Sequence, residues 1–244
     1  MGDIAIRALT GHDELRRAVE LQQQIWGFDE LELLPVRLFV VAVKIGGQVF
    51  GAFDGALMVG FCLAIPGMKP GGHAYLHSHM LGVLPAYRDG GVGRMLKLEQ
   101  RKDALARGID LMEWTFDPLE IKNAYFNIER LGAIVRRYVF NQYGATSSPL
   151  HGGLPTDRCV AEWWLSSPRV ETVLAASALP RTAIDRRISV PADIAEVRRQ
   201  RPAEARSVQQ RIGEAFTDAF RGGLTVIGFE RRAEEATYLL GKWE

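Results

Sequence analysis

The stretch that decides the fold is HSHMLGVLPAYRDGGVGR, residues 77–94. Its first seven residues alternate with the period of an extended strand, and Pro85 ends that strand because proline cannot donate a ladder hydrogen bond. The alternation predicts that four residues share one face: His77, His79, Leu81 and Val83. We expect both histidines to point inward, toward a catalytic site.

A glycine-rich segment, RDGGVG at residues 88–93, connects this strand to a long helix. Glycines before a helix start leave backbone N–H groups open, and together with the helix dipole these donors suit a phosphate or pyrophosphate. The dinucleotide pattern G-x-G-x-x-G and the phosphate-loop ending G-K-[ST] are both absent from the sequence. The alternative is a tight turn that needs glycine only for its backbone.

The composition excludes several classes of function. The chain has 244 residues, 47% of them hydrophobic, which suits one large domain or one domain with a smaller appended unit. Its 30 basic and 29 acidic residues give a net charge of +1, which predicts no nucleic-acid or membrane partner.

Cys62 and Cys159 lack disulfide or metal-site spacing, so we expect buried thiols and no metal. The absence of a signal segment predicts a cytoplasmic location.

Hydrophobic periodicity predicts the other elements. Residues 36–45 fit a strand by composition and a helix by the glycines that follow, and the helix is favoured. In chain order we expect a strand at 4–9, a helix from 12 to 26, hairpin strands at 48–53 and 56–65 around Asp54-Gly55, a loop at 66–72, a helix from Gly91 to about 108, a strand at 111–115, a helix at 119–131, and strands at 134–141 and 160–165.

Two later segments need separate interpretations. The connection at residues 142–158 is too long for a plain hairpin and is interpreted as a cover over a site. After it, a helix at 202–221 and strands at 224–229 and 237–240 predict a small α/β appendage. Its residues indicate no chemistry of their own.

Arg88-x-x-Gly91-x-Gly93 resembles the pyrophosphate-binding signature of the GNAT superfamily of acyl-CoA-dependent N-acyltransferases. The element order is similar to that family over residues 1 to about 166, and Glu129-Arg130-Leu131-Gly132-Ala133 resembles its second motif. The resemblance implies an α/β (α+β) fold with a mixed, mostly antiparallel sheet flanked by helices. It also implies a GNAT acyltransferase domain at 1–168, followed by a small C-terminal α/β extension at 169–244.

The resemblance implies acetyl-CoA, or another acyl-CoA, as co-substrate and no metal. The backbone of the cofactor strand would bind the pantetheine arm and donate to the oxyanion of the reaction. The implied cofactor-binding residues are Leu81, Gly82, Val83, Arg88, Asp89, Gly90, Gly91, Val92, Gly93, Arg94 and Asn123.

Transfer to an amine requires a base, because an ammonium has no lone pair. Many relatives place a glutamate on the cofactor strand, whereas this chain has no acidic residue between His73 and Ala86. The pair His77 and His79 resembles the arylalkylamine N-acetyltransferase branch, which implies a base or proton shuttle. His79 is preferred. The alternative is that both histidines only form hydrogen bonds within the sheet.

The acid that would protonate the leaving thiolate does not occupy the family's usual position in this chain. The position of the family's tyrosine is Ile128 here, and Tyr125 lies one helical turn earlier. The family's asparagine would fall on Ile121, while this chain has Asn123 and Asn127. A plain core role for Tyr125 is the alternative.

For the acceptor, Arg158 could hold a carboxylate in two hydrogen bonds, as in an amino acid or an acidic acyl group such as succinyl. Trp114 could line an apolar acceptor pocket. A structural Asp157–Arg158 pair and a core tryptophan are the alternatives.

The sequence therefore predicts an N-acetyltransferase that acts on a small-molecule amine or amino acid by direct attack in a ternary complex. A homodimer through the last strands or the appendage is compatible with this pattern. Two other functions stay open: a catalytically silent acyl-CoA-binding regulatory or scaffold domain, and a fold in which the glycine loop is only structural.

Overall fold

A computed structural model describes residues 3–144, 152–176 and 183–243. Within these residues the chain divides into two compact units, one ending at Glu113 and the other beginning at Trp114. The sequence predicts a different division, between residues 168 and 169, and that division stays a prediction.

The first unit is built on β1 to β4 and the start of β5. Its strand order is β1-β2-β3-β4-β5, antiparallel except for the parallel pair β4–β5. Its elements are β1 (Ile4–Ala8), α1 (His12–Trp26), α2 (Val36–Lys44), β2 (Gln48–Asp54), β3 (Leu57–Met68), β4 (Ala74–Val83), a 3₁₀ turn (Pro85–Tyr87), α3 (Val92–Ala106) and the first residues of β5 (Leu111–Phe116).

Helices cover both faces of this sheet. On one face, apolar residues of α1 and α2 such as Leu15 and Phe39 pack with Phe61 of β3, and this is the α1/α2 face. On the other face, Val92 and Leu96 of α3 pack with the opposite side chains of β2 and β3, and this is the α3 face. The core of the unit is therefore two apolar layers separated by the sheet.

The second unit contains the end of β5 and five further strands. The strand order is β5-β7-β6-β9-β10-β8. Its elements are α4 (Ile121–Tyr125), a π-helical turn (Phe126–Arg130), β6 (Ile134–Val139), β7 (Arg158–Trp164), α5 (Pro168–Leu174), β8 (Arg186–Pro191), α6 (Ile194–Gln200), α7 (Pro202–Arg221), β9 (Thr225–Arg231) and β10 (Glu235–Gly241).

The expected fold class is confirmed: strands that are mostly antiparallel, flanked by helices. The helical interpretation of residues 36–45, the helix from Pro202 and the burial of both free cysteines are confirmed as well. Residues 145–151, the middle of the predicted cover at 142–158, lie outside the described residues.

Several predicted boundaries are wrong. The hairpin turns at Gly55-Ala56, because Asp54 already pairs with Leu57 and Gly55 takes the left-handed φ of +57°. The expected loop at 66–72 begins later, since β3 continues to Met68 through its pairing with β4. The helix expected at 119–131 begins at Ile121 and changes to a π-helical turn. The elements α5, β8 and α6 were not predicted.

Candidate functional site

The central feature of β4 is a β-bulge at His79. Leu63 of β3 is opposite Met80, and Ala64 is opposite Ser78, so His79 is the extra residue on β4. A bulge of this kind re-aims side chains and shifts the alternation of the strand by one residue.

The shift overturns the predicted shared face. Before the bulge, Ser78 lies on the α3 face, where its hydroxyl bonds Lys97, and His77 is opposite Ile65 of the α1/α2 face. After the bulge, Leu81 and Val83 pack on the α3 face. His77 therefore faces away from Leu81 and Val83, and the prediction that they share one face is wrong. The periodic pattern gave no sign of the extra residue.

His77 and His79 remain neighbours, with ring centroids 5.9 Å apart. Burial lowers the pKa of His77 to about 4, assisted by His79 and opposed by the negative charge of Glu113. Burial of the ring also lowers the pKa of His79, although that residue is exposed at the sheet surface. Both imidazoles are therefore neutral at pH 7 and can accept a proton.

The parallel pairing of β4 with β5 is short. It joins Leu76 to Met112 and His77 to Glu113, and within the described residues its register does not continue past this pair. The β4 backbone after the bulge thus presents an edge to which an extended ligand can bond, as in strand addition.

The loop after β4 forms an open helix N-terminus. Asp89 and Gly91 have φ of 63° and 82°, and Gly91 is the N-cap of α3 with no side-chain cap. The first hydrogen bond of α3 runs from the Met95 N–H to the Gly91 carbonyl, so the N–H groups of Val92 and Gly93 precede the helical ladder. A Cβ on Gly91 would meet nothing within 4 Å. This geometry suits a phosphate group.

Two side-chain contacts hold the loop. The Arg88 Nε donates to the Val83 carbonyl at 3.2 Å, which fixes the guanidinium stem against the end of β4. The Tyr87 hydroxyl donates to Asp54 at 3.0 Å. Arg88, the arginine of the sequence signature, is therefore held against the end of β4, just before the start of α3.

A buried polar network lies behind β4. Lys97 of α3 is 1% exposed, and its Nζ donates to the Ser78 hydroxyl at 2.7 Å, which in turn donates to Gln100 at 3.1 Å. Burial lowers the pKa of Lys97 to about 7. Lys97 is not among the predicted site residues, although it directly follows the buried Leu96 in the predicted helix.

Four of the predicted site residues belong to the second unit. Tyr125 ends α4, and the Arg231 guanidinium lies 4.0 Å from its ring centroid. Asn123 is exposed on the same helix, while Ile128 is fully buried in the π-helical turn. Arg231 was missed because it comes from β9, about a hundred residues later. The catalytic role of Tyr125 and the cofactor role of Asn123 stay predictions.

Arg158 and Trp114 are both buried. The Arg158 Nη1 donates to the Asp157 carbonyl at 3.1 Å, its guanidinium lies 5.4 Å from the Tyr143 ring centroid, and burial lowers its pKa. Trp114 packs edge-to-face on Trp163 at 6.0 Å. Their proposed contacts with the acceptor stay predictions.

Two features are absent from the described residues. No group of three or more His, Cys, Asp or Glu side chains there could hold a metal ion. In the same residues, no helix combines the length and apolar character that crossing a membrane requires.

No family model and no curated protein sequence matches the chain. Solved structures do match. A protein of Desulfovibrio desulfuricans described as a GNAT-family acetyltransferase is 15% identical, with a TM-score of 0.53 over 67% of this chain and 100% of that one. The ribosomal-protein-S18-alanine N-acetyltransferase of Escherichia coli is 17% identical, with a TM-score of 0.53 over 68% of this chain and 96% of that one.

A third match is NAA60 of Arabidopsis thaliana, solved in complex with acetyl-CoA. It is 16% identical, with a TM-score of 0.54 over 66% of this chain and 99% of that one. At such identities the likeness concerns the fold. The chain therefore has the fold of the GNAT acetyltransferases.

Proposed function

We propose that the protein is an acyl-CoA-dependent N-acyltransferase that transfers an acetyl or other short acyl group to a primary amine. One observation carries this proposal: the open N-terminus of α3 follows directly on a bulged strand that presents a neutral histidine. An anion socket and a proton acceptor are thereby combined on one segment, residues 77–94.

Acyl-CoA supplies a thioester carbonyl for attack and a thiolate as leaving group. The Gly91–Gly93 backbone would hold its pyrophosphate, and the β4 edge at Leu81, Gly82 and Val83 would bond its pantetheine arm. Those donors would also stabilise the carbonyl oxygen as it becomes negative. The open space around Gly91 fits such a ligand.

His79 would remove the proton from the acceptor nitrogen, because its neutral imidazole has a free lone pair at pH 7. The C–N bond then forms, the C–S bond breaks, and the thiolate takes up a proton. Tyr125 is the proposed donor of that proton, with Asn123 in the same helix as a cofactor contact. Arg231, stacked on the Tyr125 ring, would fix the orientation of the phenol.

For the acceptor we propose a small-molecule amine or an amino acid. The buried Arg158 guanidinium supports a substrate with a carboxylate, either on the amine or on an acyl group such as succinyl. Trp114 is the proposed apolar contact. A cytoplasmic location and a homodimer remain predictions from the sequence.

A second function is favoured by Ile128, which is fully buried where the resemblance implies a tyrosine. Without an acid at that position the domain could bind acyl-CoA and not turn it over. Such a protein would act as a regulatory or scaffold module.

Calorimetry with acetyl-CoA and then succinyl-CoA tests the binding half of the proposal. Gly91→Trp fills the open space at the start of α3, whereas Gly108→Trp is a matched control just beyond the end of that helix, with φ of 73° and nothing within 4 Å. We expect micromolar binding by the wild type and Gly108→Trp, and none by Gly91→Trp. No heat with either thioester in the wild type would contradict the proposal.

Release of free thiol with a panel of amines and amino acids tests the chemical half. His79→Gln should retain binding and lose activity by about 10²–10⁴-fold, the usual contribution of a general base. In the wild type, kcat/KM should fall as the pH drops through the lowered pKa of His79, below 6.5, because the protonated ring cannot accept a proton. Tight binding with no turnover of any amine would favour the silent module.

A further inference from the structure

The proposed reaction leaves one buried ion pair of the first unit without a role. Glu113 of β5 is 4% exposed, and its Oε1 lies 2.5 Å from the Nζ of Lys69. A carboxylate removed from water in this way is costly unless a cation faces it, and Lys69 provides that cation.

Lys69 is held in place by the turn between β3 and β4. Its N–H donates to the His73 carbonyl at 2.8 Å, and its carbonyl accepts from the Gly72 N–H at 3.0 Å. The Lys69 ammonium also lies 4.7 Å from the Tyr75 ring centroid, a cation–π distance. The turn therefore aims Lys69 at Glu113.

Glu113 in turn faces His77. The two residues are register partners in the parallel pair β4–β5, so their side chains project from the same face of the sheet. This is the α1/α2 face, because His77 is also opposite Ile65. Lys69 thus pairs with Glu113, and Glu113 faces His77, which lies two residues before the bulge at His79.

We propose that Glu113 is a positioning residue for proton removal, and that it acts by stabilising the protonated form of His77 while Lys69 holds the Glu113 carboxylate in place. The inference rests on the proposed function. One N–H bond of the acceptor ammonium breaks, the proton passes by way of His79 to an imidazole nitrogen of His77, and His77 later releases it to water. No electron transfer is involved.

The groups around His77 explain why such a partner is needed. Burial lowers the pKa of His77 most, and His79 on the same strand, Lys97 on α3 and Lys69 lower it further. Among the described residues, the Glu113 carboxylate raises it. Without this carboxylate, the protonated state that His77 must reach during transfer would be less accessible.

The main test compares Glu113→Gln, Glu113→Asp and the control Asp110→Asn, in the full chain. Asp110 is a matched carboxylate three residues earlier, and it pairs with the exposed His73 at 2.9 Å. We expect Glu113→Gln to lower kcat about tenfold or more, with KM for both substrates within about twofold, since one pKa unit corresponds to a factor of ten. Glu113→Asp should recover part of the loss, and Asp110→Asn should resemble the wild type.

A second readout does not depend on turnover. In histidine-labelled protein, the NMR signal of His77, assigned with His77→Asn, reports its protonation at pH 5. Glu113→Gln should reduce the protonated fraction, and Asp110→Asn should leave it unchanged. If Glu113→Gln is unstable because Lys69 loses its counter-ion, the double variant Lys69→Met/Glu113→Gln removes both charges. It should show a smaller loss of protonation in the same direction, because the Lys69 charge lowers the pKa of His77 by less than the Glu113 charge raises it.

Unchanged His77 protonation in a folded Glu113→Gln or double variant would overturn the inference. A folded Glu113→Gln with wild-type kcat would do the same. If instead the wild type acylates no amine but the NMR shift is present, the proposed function fails and the electrostatic link between Glu113 and His77 stands.

Discussion

A single inserted residue determines what β4 presents to each face of its sheet. Because His79 occupies the bulge, Ser78 and Leu81 can both face α3 although three positions separate them, and His77 and Met80 can both face α1 and α2. The candidate base therefore sits where the strand changes its alternation. The ordinary pKa of histidine already favours the neutral ring at pH 7, and partial desolvation of His79 lowers its pKa further.

Lys97 shows how one residue can make stability depend on pH. Its pKa is lowered to about 7 in the folded protein, and in the unfolded chain it returns to the ordinary value near 10.5. Between these values only the unfolded chain holds the proton, so stability rises with pH. Below pH 7, burial of the Lys97 ammonium lowers the free energy of unfolding by its full amount.

Replacing Lys97 by methionine should abolish this rise. We expect the free energy of unfolding of the wild type to increase by about 2–3 kcal/mol between pH 6 and pH 9 relative to Lys97→Met. Urea denaturation at the two pH values measures the difference. Lys102→Met, an exposed lysine on the same helix, should follow the wild type. Parallel pH dependence of Lys97→Met and the wild type would contradict this prediction.

At the scale of elements, β4 lies between α1 and α3, and the two helices leave different amounts of space for an added side chain. A Cβ on Gly82 would lie 2.7 Å from Trp26 and 2.8 Å from Ile25, at the end of α1. A Cβ on Gly93, in the first turn of α3, would lie 3.8 Å from Leu81, an ordinary contact. The helix α1 approaches the strand more closely than α3 does at these points.

Gly82→Ala and Gly93→Ala should therefore change stability in opposite directions. We expect Gly82→Ala to destabilise the protein by roughly 1–3 kcal/mol through overpacking. Gly93→Ala should be neutral or stabilise it by up to about 1 kcal/mol, since alanine favours the helix. Scanning calorimetry of both variants gives the comparison, and a Gly82→Ala melting temperature at or above the wild-type value would rule out this close approach.

At the scale of the whole molecule, the C-terminal extension is built into the second unit. The β9 strand pairs with β6, the Phe229 N–H donates to Glu129 at 2.7 Å, and the Tyr238 hydroxyl donates to the Pro118 carbonyl at 2.7 Å. Arg198 of α6 bonds both Asp117 and Glu120. The Tyr238–Pro118 and Arg198–Asp117 hydrogen bonds are buried, and the loss of a buried partner is costly.

A chain truncated after residue 168 should therefore fail to form a stable monomer. Removal of β9 exposes the edge of β6, and an open edge promotes association. We expect the truncated chain to aggregate on size-exclusion chromatography, whereas the full chain elutes as a defined species. A monomeric truncated chain with a cooperative melting transition would instead support an independent domain at 1–168.

The sequence predicted the fold class and the anion socket because both depend on local patterns. Alternation, the proline stop and the glycines before α3 are read from neighbouring residues. It could not predict the bulge, because the pairing of β4 with β3 decides which residue is the extra one, and this register does not depend on neighbouring residues. For the same reason the partners of the site residues were missed: Glu113 reaches His77 by strand pairing, and Arg231 reaches Tyr125 through a distant strand.

By itself, the sequence determined the order of the elements up to β7, the loop that suits a pyrophosphate and the presence of a histidine pair, all of which depend on short-range periodicity and backbone chemistry. Only the tertiary structure decided which face each histidine takes, which charges surround His77 and how the last 75 or so residues join the second unit. Those properties depend on register and burial between segments far apart in the chain, and no local pattern encodes them.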